Sequence, residues 1–275
     1  MRLSLIGGSG GLGSILADHL LAQGHEARRW SRASERSLDV LHPDPPREAF
    51  EADRVVYLAW STSNRSPEIQ NQHAEAAVRW SEISRTSGVP FVFVSTVLAS
   101  ASAASEYGRA KWIAERGVRA RNGGNVRVGL VVDDGYPELL ASRLRRFARR
   151  AKWSSSIGAW PVLPIAGETA ARIILEECAQ SDAGSAPILA AERSAVPLAT
   201  IMSSASNPTI ASWSSGVLTG LARRYPTSRG AIGRHVDALR GLALTQIDLE
   251  GARDPLSGPV TTGDWRRGII PFVAD

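Results

Sequence analysis

A tyrosine and a lysine at helical spacing are the residues of this chain best suited to move a proton. Tyr107 and Lys111 stand four residues apart, which places both side chains on one face of a helix, about one turn apart. A phenol with a pKa near 10 is a weak base at neutral pH. An ammonium one turn away stabilises the phenolate and lowers that pKa, so the pair predicts a general acid and base.

The rarity of both residue types gives this spacing weight. The 275 residues include only four tyrosines and two lysines, so this spacing would seldom arise by chance. The alternative interpretation of the pair is a solvent-facing lysine beside a packed tyrosine. Two hydroxyl side chains, Ser95 and Thr96, follow the apolar run Val89 to Val94, which is predicted to be a strand. One of these hydroxyls is expected to hydrogen-bond a substrate oxygen while hydride passes between the adjacent carbon and a nicotinamide.

The start of the chain predicts the site that holds such a cofactor. Arg2 to Ile6 is typical of a short buried strand, a glycine-rich turn follows it, and an amphipathic helix ends at Gly24. A strand, a glycine turn and a helix bind a pyrophosphate on the N–H groups at the start of the helix, although a flexible loop is the alternative. The predicted contacts in the turn are Gly7, Gly10, Gly11, Leu12 and Gly13.

The end of the second predicted strand, Glu26 to Ser31, bears on the choice of cofactor. NAD-binding proteins of this type carry an acidic residue here for the ribose 2′-hydroxyl, but this chain has Ser31 and Arg32. A guanidinium pairs with a 2′-phosphate through two hydrogen bonds. The sequence therefore predicts NADP(H), with NAD(H) as the alternative. Arg32 is the main contact, Ser31 assists it and Asp39 approaches the adenine, unless these arginines only face solvent.

The remaining pattern predicts an α/β fold with a doubly wound, mostly parallel sheet of six or seven strands, which is Rossmann-like. Further strands are predicted at Asp39–Val40, Arg54–Trp60, Val89–Val94 and Val126–Val132, and helices at Pro67–Ser87, around Tyr107, at Leu139–Arg150 and at Gly167–Gln180. Residues 1–135 and 160–180 are assigned to the dinucleotide-binding core. Residues 136–159 and 181–275 are assigned to a small substrate-binding lobe, with helical pieces at 210–224 and 232–242.

Composition excludes several other classes of protein. The hydrophobic fraction is 43%, yet no apolar run approaches the roughly 18 residues of a membrane span. The single cysteine, Cys178, and the lack of a signal peptide predict a cytoplasmic protein. Cysteine and histidine spacings typical of metal sites are absent from the sequence. A net charge of +5 permits nucleic-acid binding, but no recognised motif accompanies it, so an anionic small molecule is the preferred partner.

Together these motifs resemble the extended short-chain dehydrogenase/reductases, the NAD-dependent epimerase/dehydratase group. The similar segments are Gly7-x-x-Gly10-x-x-Gly13 to the family's glycine turn, Tyr57-Leu58-Ala59-Trp60 to His-Leu-Ala-Ala, Val94-Ser95-Thr96 to Val-Ser-Ser, Tyr107 with Lys111 to the catalytic pair, Arg127-Val128-Gly129 to Arg-Pro-Gly, and Leu163 to Ala171 to Val-His-Val-Asp-Asp-Leu-Ala. The resemblance covers about residues 1 to 180.

The resemblance implies roles for further residues. The backbone of Leu58, Ala59 and Trp60 would lie along the cofactor, and Asn71 would support the active-site water chain. Thr96 would be the catalytic hydroxyl, with Ser95 beside the cofactor and Lys111 on the nicotinamide ribose. The resemblance also implies a homodimer through the helices that hold Asn71 and Tyr107.

The implied activity is hydride transfer at a carbonyl or secondary alcohol of a sugar nucleotide or a related small molecule. Arginines between 143 and 150 would meet a diphosphate, unless they form a solvated helix face. Gly167-Glu168 replaces the family's paired aspartates, and the segment from Thr96 to Tyr107 is short. A non-catalytic NADP(H) sensor of the same fold is the alternative function.

Overall fold

The computed structural model describes residues 1–61, 66–103, 105–143, 161–180, 186–191 and 196–202. The strands are β1 (Arg2–Ile6), β2 (Glu26–Ser31), β3 (Arg36–Ser37), β4 (Arg54–Tyr57), β5 (Phe91–Thr96), β6 (Gly124–Val128), β7 (Leu130–Val132), β8 (Pro161–Val162), β9 (Pro164–Ala166), β10 (Ile188–Ala190) and β11 (Val196–Pro197). The helices are α1 (Gly11–Ala22), α2 (Pro67–Thr86), α3 (Glu106–Arg119), α4 (Gly167–Ala179) and α5 (Leu198–Met202), with a 3-10 turn at Arg47–Phe50.

Seven strands form one parallel sheet in the order β10-β6-β5-β4-β1-β2-β3. The chain moves outward from β1 in one direction through β2 and β3, and then returns to the other side of β1 with β4. Ligands of doubly wound sheets bind at the carboxyl ends of the strands where this reversal occurs. The predicted Rossmann-like fold is confirmed, and its switch point lies between β1 and β4.

Alternating side chains cover both faces of the sheet. Leu3 and Leu5 of β1 pack with α1 and α4 on one face, whereas Ile6 packs with α2 and α3 on the other. β5 repeats this alternation, with Val92 on the first face and Phe93 on the second. Successive residues of a strand point to opposite faces, and a parallel sheet between two helical layers is therefore apolar on both.

Two predicted strands are misplaced. The third strand is β3 at Arg36–Ser37, not at Asp39–Val40, and Asp39 instead accepts the Leu41 N–H in a turn. The predicted strand from residue 126 to 132 is interrupted at Gly129. A Cβ there would lie 2.2 Å from the Leu163 carbonyl oxygen, so this close approach requires glycine. Beyond it, β7 leaves the main sheet and pairs with β9.

The boundary predicted at residue 180 excludes a strand of the main sheet. β10, at Ile188–Ala190, pairs with β6 and forms the edge of the sheet. The assignment of residues 181–275 to a lobe therefore does not hold for this strand. Of the helix predicted at 139–150, residues 140–143 are helical, and the rest lies outside the described residues. So do the predicted helical pieces at 210–224 and 232–242.

None of the helices in the described ranges is both long and apolar enough to cross a membrane.

Candidate active site

The glycine turn closes tightly against the end of β4. Gly7 has a φ of 87°, and a Cβ on it would lie 2.6 Å from the backbone N and Cα of Ala59. Gly13 packs against Gly8, since a Cβ at Gly13 would lie 2.7 Å from the Gly8 Cα. These contacts fix the turn and the start of α1 beside the segment that follows β4. This geometry requires glycine at position 7 for the tight turn and at position 13 for the close packing of α1 on the turn.

Gly10 differs from the other glycines of the turn because protein atoms do not crowd it. A Cβ there would meet only the Gly7 carbonyl oxygen, at 3.5 Å, and the backbone has an ordinary extended conformation. Gly10 is also the N-cap of α1 and provides no side-chain hydrogen bond, in contrast to Ser66 and Ser105, which cap α2 and α3. The first N–H groups of α1 and the space before Gly10 thus fit a pyrophosphate, which a helix N-terminus attracts.

The end of β2 provides the groups predicted to select the cofactor. Ser31 is buried, and its hydroxyl accepts the Ala33 N–H at 3.2 Å. Arg32 is exposed at the carboxyl end of the strand and forms no salt bridge with a described residue. By contrast, Arg28 and Arg29 on the same strand pair with acidic side chains. The guanidinium of Arg32 is therefore available to bind a ligand at the carboxyl end of β2, where the cofactor ribose is predicted to lie.

The hydroxyls predicted to be catalytic lie at the carboxyl end of β5, and the Tyr107 ring packs on residues that directly follow this strand. Thr96 is buried, and its Oγ1 accepts the Leu98 N–H at 3.3 Å. The buried Ser95 Oγ has no hydrogen-bond partner among the described residues. Half-buried Tyr107 packs on the cluster that contains Val97 and Leu98. Residues predicted to act on one substrate oxygen are thus gathered at the same strand end.

Lys111 lies under aromatic rings. It is 3% exposed, and its Nζ donates to the Val94 carbonyl oxygen at 2.8 Å. The same atom lies 4.2 Å from the centre of the Trp60 ring, 4.5 Å from that of Phe93 and 6.0 Å from that of Tyr107. Burial lowers the pKa of Lys111 to about 7, although the Glu115 carboxylate opposes this shift. The amine is therefore only partly charged near neutral pH.

The side chains of α2 that contact the site are Gln70 and His73. Trp60 Nε1 donates to Gln70 Oε1 at 2.7 Å, and the Trp60 ring stacks on the His73 ring at 5.4 Å. Gln70 Nε2 donates to the Ser61 carbonyl oxygen, and the Ser61 N–H donates to His73 Nε2. Asn71, in contrast, is exposed on the opposite face of α2. Gln70 and His73, and not Asn71, therefore contact Trp60 and Ser61.

The sequence pattern missed Gln70 and His73, although it contained a usable signal. Ala77 and Trp80 mark the buried face of α2. His73 lies four residues before Ala77, and Gln70 lies three residues before His73, so both continue that face. Burial, followed by repulsion from Lys111, lowers the pKa of His73 to about 4. The imidazole is therefore neutral at physiological pH, and its Nε2 is an acceptor.

A buried ion pair continues the polar stripe of α3 beyond Lys111. Arg127 of β6 donates to Glu115 through Nε at 3.0 Å and through Nη2 at 2.8 Å. The two residues are 6% and 3% exposed. Because two hydrogen bonds join a planar guanidinium to a carboxylate, the pair fixes α3 rigidly on the sheet. It thereby also fixes the height of Lys111 and Tyr107 above β5.

The segment after β7 packs beside the start of α1. A Cβ on Gly11 would lie 2.7 Å from Leu139 Cδ2, and the Tyr136 hydroxyl donates to Asp18 at 2.8 Å. Asp18 also pairs with Arg29 of β2. This segment therefore reaches the glycine turn. Within the described residues, no group of three or more metal-ligating side chains is close enough to bind a metal ion.

The structure thus combines a glycine turn at the switch point of a doubly wound sheet with a tyrosine and a lysine on α3. The model of the NAD dependent epimerase/dehydratase family matches residues 3–129, which confirms for this part of the chain the resemblance predicted from its motifs. No curated protein sequence matches the chain significantly.

Solved structures share this fold. MoeE5 in complex with UDP-glucose and NAD is 21% identical, with a TM-score of 0.59 over 73% of this chain and 79% of that one. UDP-N-acetylglucosamine 4-epimerase from Bacillus cereus is 15% identical, with a TM-score of 0.60 over 74% and 81%. dTDP-4-dehydrorhamnose reductase from Bacillus anthracis in complex with NADP is 14% identical, with a TM-score of 0.59 over 71% and 77%.

Proposed function

We propose that this protein is an NADP(H)-dependent oxidoreductase or epimerase that acts on a carbonyl or secondary alcohol of a nucleotide sugar. One observation carries the proposal: Gly10, Thr96 and Tyr107 are brought to one edge of the sheet, the edge at which the strand order reverses. The family match and the nucleotide-sugar enzymes among its structural neighbours support it.

The residues of the site divide the work between binding and proton transfer. A bound nicotinamide would donate or accept the hydride. The N–H groups of α1 hold the pyrophosphate, and the backbone at Ala59 lines its path. Thr96 or Ser95 donates a hydrogen bond to the substrate oxygen, and the Tyr107 hydroxyl gives or takes the proton at that oxygen. Lys111 stabilises the phenolate while its amine carries a charge.

Replacing Arg32 by alanine should remove the preference for NADPH. The loss of paired hydrogen bonds to a 2′-phosphate should raise the Kd for NADPH about tenfold or more, and leave the Kd for NADH within about twofold. Quenching of tryptophan fluorescence by each cofactor measures both constants. Arg28→Ala is the matched control, because Arg28 lies on the same strand and pairs with Glu26. Equal losses for both cofactors would reject the role of Arg32.

Replacing Gly10 by alanine should weaken cofactor binding without harming the fold. The added methyl group fits the protein but occupies the space before the start of α1. The Kd for NADPH should therefore rise about tenfold or more, with the midpoint of thermal unfolding nearly unchanged. Gly7→Ala provides the contrast, since its methyl group would collide with Ala59 and should lower that midpoint. Unchanged binding in a folded Gly10→Ala protein would contradict the pyrophosphate site.

The activity itself is tested by incubating the protein with NADP⁺ or NADPH and a panel of nucleotide sugars, including UDP-glucose and its 4-keto derivative. Absorbance at the nicotinamide band reports net oxidation or reduction, and product analysis reports an epimer formed without net change of cofactor. Turnover of any member supports the proposal. Tight cofactor binding with no turnover across the panel would favour the second candidate, a non-catalytic NADP(H) sensor.

One observation favours that second candidate. The Lys111 amine is buried and hydrogen-bonded to the Val94 carbonyl oxygen, with Trp60 lying over it. An enzyme of the proposed type needs this amine near the Tyr107 hydroxyl and the ribose. A sensor needs only the glycine turn and Arg32. Single-turnover measurements with bound NADPH and a simple carbonyl panel separate the two, because a sensor leaves the nicotinamide reduced.

A further inference from the structure

Trp60 isolates the Lys111 amine from water. The indole lies 4.2 Å from Nζ, and Phe93 lies 4.5 Å from Nζ. The Val94 carbonyl oxygen accepts one of its hydrogens at 2.8 Å, and the Lys111 residue as a whole is 3% exposed. Trp60 also meets Tyr107 edge-on, with ring centres 6.2 Å apart. A single side chain therefore contacts both members of the proton-transfer pair.

The position of the indole is determined by contacts on two sides. Gln70 accepts the Nε1 hydrogen at 2.7 Å, and the His73 ring stacks on the indole with ring centres 5.4 Å apart. The next residue, Ser61, is held through its N–H by His73 and through its carbonyl by Gln70. The ring is thus locked by side chains that belong to a buried helix face. A ring held in this way is a fixed part of the site.

We propose that Trp60 is a positioning residue that covers the Lys111 amine and thereby sets the pH range in which Lys111 can assist Tyr107. This inference rests on the proposed function where it concerns turnover, but the covering of the amine is testable without any cofactor. A hydrated ammonium would keep its charge throughout the neutral range, whereas an ammonium covered by aromatic rings has lost its water of hydration, which favours the neutral amine. The π face of the indole compensates for only part of that loss.

Groups on every neighbouring element contribute to the charge of this amine. On α3, Tyr107 precedes it and Glu115 follows it, with Glu115 already paired to Arg127 of β6. On α2, His73 is neutral because burial lowers its pKa to about 4. β5 contributes the Val94 carbonyl dipole but no charge. The favourable charge of Glu115 is therefore shared with Arg127, whereas burial, to which the indole contributes, has the larger effect on the pKa of the amine.

The test follows the titration of Lys111 by NMR in the protein without cofactor. The chain has only two lysines, so Lys152→Arg leaves Lys111 as the sole lysine, and labelled lysine then gives one side-chain signal. In this background the signal should titrate near pH 7, well below the ordinary value of 10.5. Trp60→Ala should raise the midpoint by at least about one pH unit, a tenfold gain in proton affinity. Trp60→Phe keeps a ring over the amine and should shift it by less than about 0.3 units.

A midpoint in Trp60→Ala within about 0.3 units of the parent, in a protein with native circular dichroism, would overturn the proposal. If that variant does not fold, Trp60→Leu decides instead, because leucine keeps apolar packing yet uncovers part of the amine. A rise of at least about half a unit then supports the proposal, and no rise overturns it. Absence of turnover in every variant would reject the proposed function while leaving the titration result intact. If turnover is present, its alkaline limit should move upward with the midpoint.

Discussion

Tyr107→Phe is expected to lower turnover by about 100- to 10,000-fold, because a positioned acid or base contributes a factor of this size. The variant loses only the hydroxyl. Its ring keeps the contacts with Val97 and Leu98, and it keeps the edge-on contact with Trp60. Cofactor affinity should therefore remain within about twofold of the parent, since the predicted pyrophosphate contacts lie on the glycine turn. Initial rates with the best nucleotide sugar, and a fluorescence titration with NADPH, measure the two quantities.

Tyr57→Phe is the matched control for this experiment. Tyr57 is fully buried in the core, where burial raises the pKa of its phenol, and its hydroxyl has no hydrogen-bond partner among the described residues. Loss of this hydroxyl should leave turnover nearly unchanged. Full turnover in Tyr107→Phe would refute the acid/base role. Equal losses in both variants would point to damage to the fold rather than to a lost proton donor.

Local patterns were sufficient to predict β1, β2 and the glycine turn between β1 and α1. β1 and β2 begin and end where the apolar run and the turn residues placed them, because each boundary depends on nearby glycines or polar residues. Gly10 in the turn and Arg32 after β2 follow from the same local pattern. The sequence also predicts which edge of the sheet carries the site, because parallel strands separated by helices all expose their carboxyl ends on one edge.

Other features depend on contacts between distant segments and could not be read from the sequence. The apolar run from residue 126 to 132 contains nothing that demands a break. Only the approach of the Leu163 carbonyl to Gly129 explains why β7 turns away from the main sheet. The spacing of Tyr107 and Lys111 likewise predicted one helical face correctly. It could not show that a ring from the end of β4 would cover the amine.

Asn71 shows that a motif can identify a helix beside the site without identifying which of its residues contacts the site. Its side-chain chemistry suits a site, but the phase of α2 turns it toward solvent, and Gln70 takes the place beside Trp60. The phase is encoded in the helix itself, because Ala77 and Trp80 lie on the buried face. A family motif identifies the helix that contributes to the site. The apolar stripe decides which residue of that helix contributes.

Arg127→Met is expected to lower the free energy of unfolding by about 3–5 kcal/mol, because it leaves the Glu115 carboxylate buried without its charge partner. Arg127 is 6% exposed and Glu115 3%, so water cannot readily replace the guanidinium. Urea denaturation followed by circular dichroism measures the loss. The partly exposed pair Arg172 and Glu176, joined at 2.6 Å on α4, provides the comparison. Arg172→Met should cost less than about 1 kcal/mol, since exposed pairs are screened by solvent.

The double variant Glu115→Leu/Arg127→Met separates the cost of an orphaned charge from the value of the ion pair. Removal of both charges eliminates the desolvation penalty, so most of the lost stability should return. The double variant should nevertheless alter the site, because Glu115 favours the charged form of Lys111. The Lys111 titration midpoint should therefore fall when the pair is removed, even where the free energy of unfolding is restored. A double variant no more stable than Arg127→Met would show instead that the guanidinium acts through its packing between α3 and β6.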